Sequence, residues 1–282
     1  MGFAKITTPR LSGRPQLRAD DLRPVCSGAV TRAKAVATTA LCLALAGLDP
    51  AGADDLGPGP VEIRLPAPGS APWRPVEFPR IDRHTQYELD ETSGSLHASS
   101  DCAASGLVLE LGEIDLIRTP RLRWRWRVTE APAVDDEQTR DGDDFAARVY
   151  VTFRFDPDQA SWLDRMRRQI GRRLFGTELP GRALTFVWSQ SAPVGQSWPN
   201  PFEPNIRMRA VTRGPIDGWR TVEVDIASFW RESFGSPPPP ASGLALMTDS
   251  DQSCSRAQAW YADFRLLGPL QEGVKPTEPP PP

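Results

Sequence analysis

Arg121-Leu122-Arg123-Trp124-Arg125-Trp126-Arg127-Val128 alternates without a break. In an extended chain Leu, Trp, Trp and Val fall on one side and four arginines on the other, because successive side chains of a strand point to opposite faces. A second stretch, Phe145-Ala146-Ala147-Arg148-Val149-Tyr150-Val151-Thr152-Phe153-Arg154-Phe155, repeats the pattern. It places Phe145, Ala147, Val149, Val151, Phe153 and Phe155 on the apolar side. An apolar face so bulky must be covered by another layer, so the expected fold is all-β, a sandwich of two packed sheets. The opposite face is expected to be polar, cationic and flat, and any function is expected there.

Composition narrows the class. The chain has 282 residues and 39% hydrophobic content, enough for a core once its Pro-rich ends are set aside. Its net charge of −3 gives no bulk basic signal for nucleic acid. Only three of the 33 basic residues are lysines, Lys5, Lys34 and Lys275. With abundant Ala and Pro, that bias fits a GC-rich genome, so each arginine is weak evidence taken alone.

The N-terminus reads as an export signal over residues 1–53. Arg32 and Lys34 precede the apolar run Ala35 to Leu48, and Ala51-Gly52-Ala53 supplies small residues for cleavage before Asp54. The run, about 14 residues, is too short to span a bilayer. The polar stretch ahead of it is long for a signal, and translation is expected to start near Val30. Thr39-Ala40-Leu41 before Cys42 is not a lipobox, so no lipid anchor is expected there. Cleavage removes seven basic and three acidic residues and leaves a net charge of −7. Cys26 and Cys42 leave with the signal. Cys102 and Cys254 remain as an even pair in an oxidising compartment and are expected to form a disulfide. The product is a periplasmic or secreted protein.

Along the mature chain, strands are expected at Val61–Leu65, Thr85–Leu89, Ser95–Ser99 and Leu107–Leu111. Others are expected at Ala183–Gln190, Ile206–Val211, Trp219–Ile226, Leu244–Met247 and Ala259–Leu267. A short helical turn over Ala227–Phe234 should close at Gly235. Trp162, Met166, Ile170 and Leu174 recur at helical spacing, which predicts an amphipathic helix over 158–175 inserted into the β fold. Residues 130–144 form an acidic loop with Glu130, Asp135, Asp136, Glu137, Asp141, Asp143 and Asp144. No repeat or internal linker divides residues 54–268, which read as one domain. Residues 269–282 read as a disordered Pro-rich tail.

No HExxH, Cys/His zinc spacing, phosphate loop or GxSxG occurs. Only His84 and His97 are present, too few imidazoles for a zinc site built on histidine. If the strands at 121–128 and 144–155 pair, Arg123, Arg125, Arg127, Arg148, Tyr150 and Thr152 share one surface. Side-by-side guanidiniums repel, so that surface needs carboxylates, and Asp143, Asp144, Asp249 and Asp251 are the expected partners. Such a surface is either a structural salt-bridge network or a site for hydroxyl-rich or acidic ligands. Asp249 and Asp251, with Asp143-Asp144, could also hold structural Ca²⁺, although their spacing is not that of an EF-hand. No other cofactor is expected. An Asp pair could serve glycoside hydrolysis, and Tyr150 with Arg148 could serve as base and charge neutraliser in a lyase. Trp188, Trp198, Trp260 and Tyr261 sit where they could stack on sugar rings or pack in the core.

Leu122–Val128 (LRWRWRV), Gly142–Phe153 (GDDFAARVYVTF), Thr185–Ser189 (TFVWS), Gly218–Ile226, Leu244–Asp251 (LALMTDSD) and Ala259–Arg265 (AWYADFR) together resemble the bacterial exported family catalogued as domain of unknown function 3047. The resemblance spans nearly the whole mature chain and carries no established activity with it. A looser similarity, in Gly218–Val224 and Trp260–Arg265, is to carbohydrate-binding jelly rolls. It implies a jelly-roll-type sandwich, and it implies that Asp263 on the last strand helps Asp249 and Asp251 hold calcium. The expected function is therefore non-catalytic binding of a glycan or similar polar ligand. Arg125, Arg127, Asp143, Asp144, Arg148, Tyr150, Trp188, Asp249 and Asp251 are the expected contacts. Nucleic acid and a stable membrane span are not expected. The alternatives are a glycan hydrolase or lyase, or an envelope assembly protein docking through the helix at 158–175.

Overall fold

The computed structural model describes residues 61–78, 81–153, 181–214 and 217–270. All belong to one compact unit of the chain. They form thirteen strands and one helix: β1 (Glu62–Arg64), β2 (Arg74–Val76), β3 (Gln86–Asp90), β4 (Ser95–Asp101), β5 (Ala104–Ile114), β6 (Arg121–Glu130), β7 (Arg148–Phe153), β8 (Ala183–Ser189), β9 (Ser197–Pro199), β10 (Ile206–Arg213), β11 (Arg220–Asp225), α1 (Ile226–Phe234), β12 (Ala241–Asp249) and β13 (Arg256–Leu267). The first sheet runs β11-β6-β13-β4-β3, with β1 also paired to β13, and the second runs β2-β5-β12-β7-β8-β10-β9. Neighbours are antiparallel except β8 and β10, which are parallel. The two sheets pack as a jelly-roll-type β-sandwich.

Period two in the sequence becomes inside and outside in the fold. On β6 Leu122, Trp124, Trp126 and Val128 are each 0% exposed, while the arginines between them are half-buried. Val149, Val151 and Phe153 of β7 and Phe186 and Trp188 of β8 join the same core from the second sheet. Trp124 meets Trp126 edge-on at 5.2 Å and lies parallel to Phe264 at 6.2 Å. Trp126 packs on Trp188 at 5.9 Å. Truncating a buried Trp to Ala costs about 3–5 kcal/mol, so these rings largely hold the layers together.

One expectation is corrected here. β6 and β7 do not pair. β6 lies between β11 and β13 in the first sheet, and β7 lies between β12 and β8 in the second. Their apolar faces meet in the core, so their polar faces point away from each other, on opposite sides of the sandwich. Alternation specifies two faces per strand but not which strand lies alongside, and here the core is built from both.

Phe145 also departs from its expected side. The ladder of β7 with β12 begins only at Arg148 opposite Met247, so strand parity does not constrain residue 145. Phe145 packs instead with Val187, Ala192, Trp198, Met208 and Ala210, in a cluster separate from the main core. Two strands, β2 and β9, have no counterpart in the sequence reading. Each is three residues long and contains a proline. α1 matches its expected position within one residue. The Asp225 carboxylate caps it by accepting from the Ser228 amide at 2.7 Å, and Gly235 closes it at φ +67°. Phe229 and Trp230 of α1 cover Phe186 and Phe153 at 5.6 and 4.2 Å.

Cys102 and Cys254 form a disulfide that ties the β4–β5 turn to the loop between β12 and β13. The expected helix at 158–175, the export signal at 1–53 and the tail beyond residue 270 lie outside the described residues. No helix among the described residues is long and apolar enough to cross a membrane.

Candidate functional site

The outer face of the second sheet ends in a buried charge network centred on Arg148. This side chain is 2% exposed. Its Nε donates to Asp249 Oδ1 at 2.9 Å and its Nη2 to Asp249 Oδ2 and to the Asp143 carbonyl. Nη1 donates to Asp143 Oδ1 at 3.2 Å and to the Tyr150 hydroxyl at 3.5 Å. Those five contacts account for the five N–H groups of a guanidinium. The ring of Phe145 lies 4.6 Å beneath it. The sequence expected Arg148 to reach a ligand. Instead it is the salt-bridge hub that the same arginine pattern also allowed, because the 143–145 turn folds over it.

The surrounding carboxylates are held equally firmly. Asp143 Oδ2 accepts from Asn200 Nδ2 at 3.0 Å. Asp144, fully buried, accepts from the amides of Gln252 at 3.1 Å and Ser253 at 2.6 Å. Oxygens of Asp144, Asp249 and Asp251 converge within 4.8 Å of one another, the closest approach to a metal-ligand set among the described residues. Two of the three are already engaged, Asp249 by Arg148 and Asp144 by main-chain amides. Burial pushes the Asp249 carboxyl well above the ordinary carboxylate range; Arg148 opposes this, while Asp144 and Asp143 add to it. Burial likewise raises Asp143 against the pull of Arg148 and Asn200. Burial and the neighbouring Asp144 raise Asp251. Burial pushes Tyr150 up to about 12, against the pull of Arg148, so it stays a neutral phenol at physiological pH.

Asp263 does not join this group. It sits in a bulge of β13 at φ +56°, on the other side of the sandwich. There its carboxylate takes Arg125 Nε at 2.6 Å and Arg64 Nη2 at 3.3 Å. A calcium set of Asp249, Asp251 and Asp263 is therefore not assembled, and Asp144 occupies the third position. Trp188 is also misplaced by the sequence reading. It is 3% exposed in the core, as are Trp198 at 6% and Tyr261 at 0%, so none of them offers a ring to a ligand.

The outer face of the first sheet is open. Arg121, Arg123, Arg125 and Arg127 stand half-buried along β6. Their carboxylates come from that sheet and the loops beside it, not from the four aspartates expected. Glu223, on neighbouring β11, accepts from Arg121 and, at 3.0 Å, from Arg123 Nε. Across β13 the register sets Trp260 beside Arg127, and β4 sets His97 beside Trp260. The result is a row of plates across the sheet. His97 stacks on Trp260 at 4.3 Å with rings 20° apart, and the Arg127 guanidinium lies 4.1 Å from the other ring of the pair, Trp260. Trp219, just before β11, continues the row at 5.8 Å from Arg127 and 4.9 Å from Arg125.

Of the expected contacts, Asp143, Asp144, Arg148, Tyr150, Asp249 and Asp251 come together on the second sheet, and Arg125 and Arg127 come together on the first. Trp219, His97, Asn200 and Glu137 were not foreseen. Glu137, 1% exposed, accepts from Ser189 Oγ and from the amides of Gln190 and Ala192 at 2.9 and 3.0 Å. It pins the acidic loop to the end of β8. Trp219 carried one usable signal, its place as the first residue of the alternating stretch Trp219–Ile226. The other three depend on contacts between residues distant in sequence.

A family model described as protein of unknown function (DUF3047) matches residues 71–265. No curated protein matches the chain. Among solved structures, the family 11 carbohydrate-binding module of cellulosomal cellulase Lic26A-Cel5E of Clostridium thermocellum is similar at 10% identity and a TM-score of 0.38, over 76% of this chain and 98% of that one. The same organism's module in complex with a β-1,3-1,4-mixed-linked tetrasaccharide gives 11% identity and a TM-score of 0.37, over 75% and 98%. Endoglucanase cel12A from Rhodothermus marinus gives 10% and 0.38, over 74% and 100%. Likeness of this depth carries no argument about ligand or chemistry.

Proposed function

Because the chain belongs to DUF3047, a family of proteins of unknown function, its role must be read from its own surface, and we propose that it is an exported, non-catalytic binding protein. It takes a glycan or similar polar ligand on the outer face of the first sheet. The observation that carries this reading is the row His97–Trp260–Arg127–Trp219, with Arg125 beside it. A flat sheet face offering guanidinium donors, carboxylate acceptors and indole edges suits a hydroxyl-rich ligand. The disulfide supports an oxidising, extracytoplasmic location.

Three of the four carboxylates that an acid/base mechanism could draw on here are engaged. Asp143 and Asp249 are tied to Arg148, and Asp144 to two amides. Tyr150 is held neutral. That disfavours hydrolase and lyase readings built on these residues. A structural Ca²⁺ at Asp144, Asp249 and Asp251 would share these carboxylates with Arg148 and the amides. The experiment is a glycan array with the mature protein beside Trp260→Ala and Arg148→Met. Loss of binding in Trp260→Ala, with normal folding, supports the reading. Binding that survives Trp260→Ala and Arg125→Ala together sinks it.

A further inference from the structure

The carboxylates that meet the β6 arginines are shared. Glu223 serves both Arg121 and Arg123. Asp263 serves both Arg125 and Arg64. Arg127 has only the exposed Asp217, at 4.0 Å, and its Nε is buried without an acceptor among the described residues. Two carboxylates are thus shared by four guanidiniums, and a fifth guanidinium has one distant partner. Glu62, paired with Arg265, and Glu130, which accepts from Gln258, lie further out on the same face.

The two arginines at the centre are also ordered. Arg127 lies between Trp260 and Trp219, and Arg125 leans on Trp219 from the next position on the same face. Two residues along a strand separate the two arginines by roughly 7 Å at Cα. Guanidiniums held against indoles lose little further freedom on binding, which favours affinity.

We propose that Arg125 and Arg127, flanked by Trp219 and Trp260, form a subsite for the carboxylate of a sugar, so that the ligand is an acidic polysaccharide built of uronate residues. The proposal rests on the reading of this face as glycan-binding and names the class of glycan. A planar two-oxygen anion matches the guanidinium fork. The face already receives carboxylates, since Glu223 and Asp263 each bridge two of its arginines with one oxygen apiece. A nucleic acid fits less well, because duplex DNA carries a charge about every 1.7 Å. Such a dense polyanion would also run over Glu62, Glu88 and Glu130, on the strands around the subsite.

The test is affinity electrophoresis of the mature protein in gels containing polygalacturonate, or the same polymer with its carboxyls reduced to alcohols. Heparin gels and duplex DNA are run in parallel. Retardation should occur with polygalacturonate and vanish with the reduced polymer. Arg127→Ala should weaken it by about 10-fold or more, as expected for loss of a charge-assisted contact, with an unchanged melting temperature. Arg125→Gln provides a second variant should Arg127→Ala fold poorly. Equal retardation by the reduced polymer would overturn the uronate assignment while leaving glycan binding intact. Stronger binding to heparin or DNA would overturn it in favour of sulfate or phosphate. No retardation by any glycan would overturn the uronate assignment and the glycan reading together.

Discussion

Arg148→Met is the perturbation that separates the two arginine-bearing faces. The substitution keeps an unbranched apolar stem and removes the guanidinium that lies among Asp143, Asp249, Asp144 and Asp251. Removing one partner of a buried ion pair costs about 3–5 kcal/mol, because the remaining charge stays buried without compensation. For a domain of this size each kcal/mol shifts Tm by roughly 2–4 °C, so Tm should fall by roughly 6–20 °C. The loss should also depend on pH. The carboxyls of Asp249, Asp143 and Asp251 already lie above their ordinary range in the folded protein. Between the unfolded value, about 3.9, and the raised folded value, the native state binds the extra proton, so stability falls as pH rises. Without Arg148 the folded values rise further, and the deficit should be larger at pH 8 than at pH 5. Urea unfolding followed by tryptophan fluorescence at both pH values measures it. Arg125→Met, an exposed pair, serves as control and should cost no more than about 1 kcal/mol. A loss below about 1 kcal/mol for Arg148→Met, or one identical at both pH values, would refute the account of a desolvated network.

Asp251→Asn removes one like charge beside Asp144 without touching Arg148. It should raise the urea midpoint more at pH 8 than at pH 5, and a uniform change at both would contradict the shift. Reducing the disulfide, whose partners are 152 residues apart, should cost about 2–5 kcal/mol, read as a drop in Tm with reductant. Glu137→Ala strips the acceptor from three donors around β8 and should destabilise by on the order of 3 kcal/mol in chemical denaturation. An effect near zero would mean that the acidic loop is not anchored there.

The faces of individual strands were legible in the sequence, and their neighbours were not. The alternation in 121–128 correctly separates Trp124 and Trp126 from the arginines, because burial enforces parity within a strand. It says nothing about whether β6 lies beside β7 or beside β13, which is decided by packing across the sandwich. Arg125 and Arg148 look equivalent in sequence, each an arginine between apolar residues. They differ because the 143–145 turn and Asn200, 52 residues further on, close over Arg148, while Trp219 and Trp260 leave Arg125 at the surface. The turn itself depends on Gly142, where an added Cβ would sit 2.1 Å from the Asp136 carbonyl. Phe145 was misassigned for a related reason, since parity fails where the ladder has not begun. β2 and β9 are too short for any period to show.

The central claim is that ligand meets the first sheet while the Arg148 network stays a structural element of the second. Heteronuclear NMR of the mature protein during titration with a glycan identified on the array tests it most directly. The indole N–H signals of Trp219 and Trp260 should shift in proportion to saturation, with Tyr150 and Met247 unmoved. Shifts confined to Tyr150, Met247 and the Asp249–Ser253 loop, with both indoles still, would place the ligand on the opposite side and contradict the account.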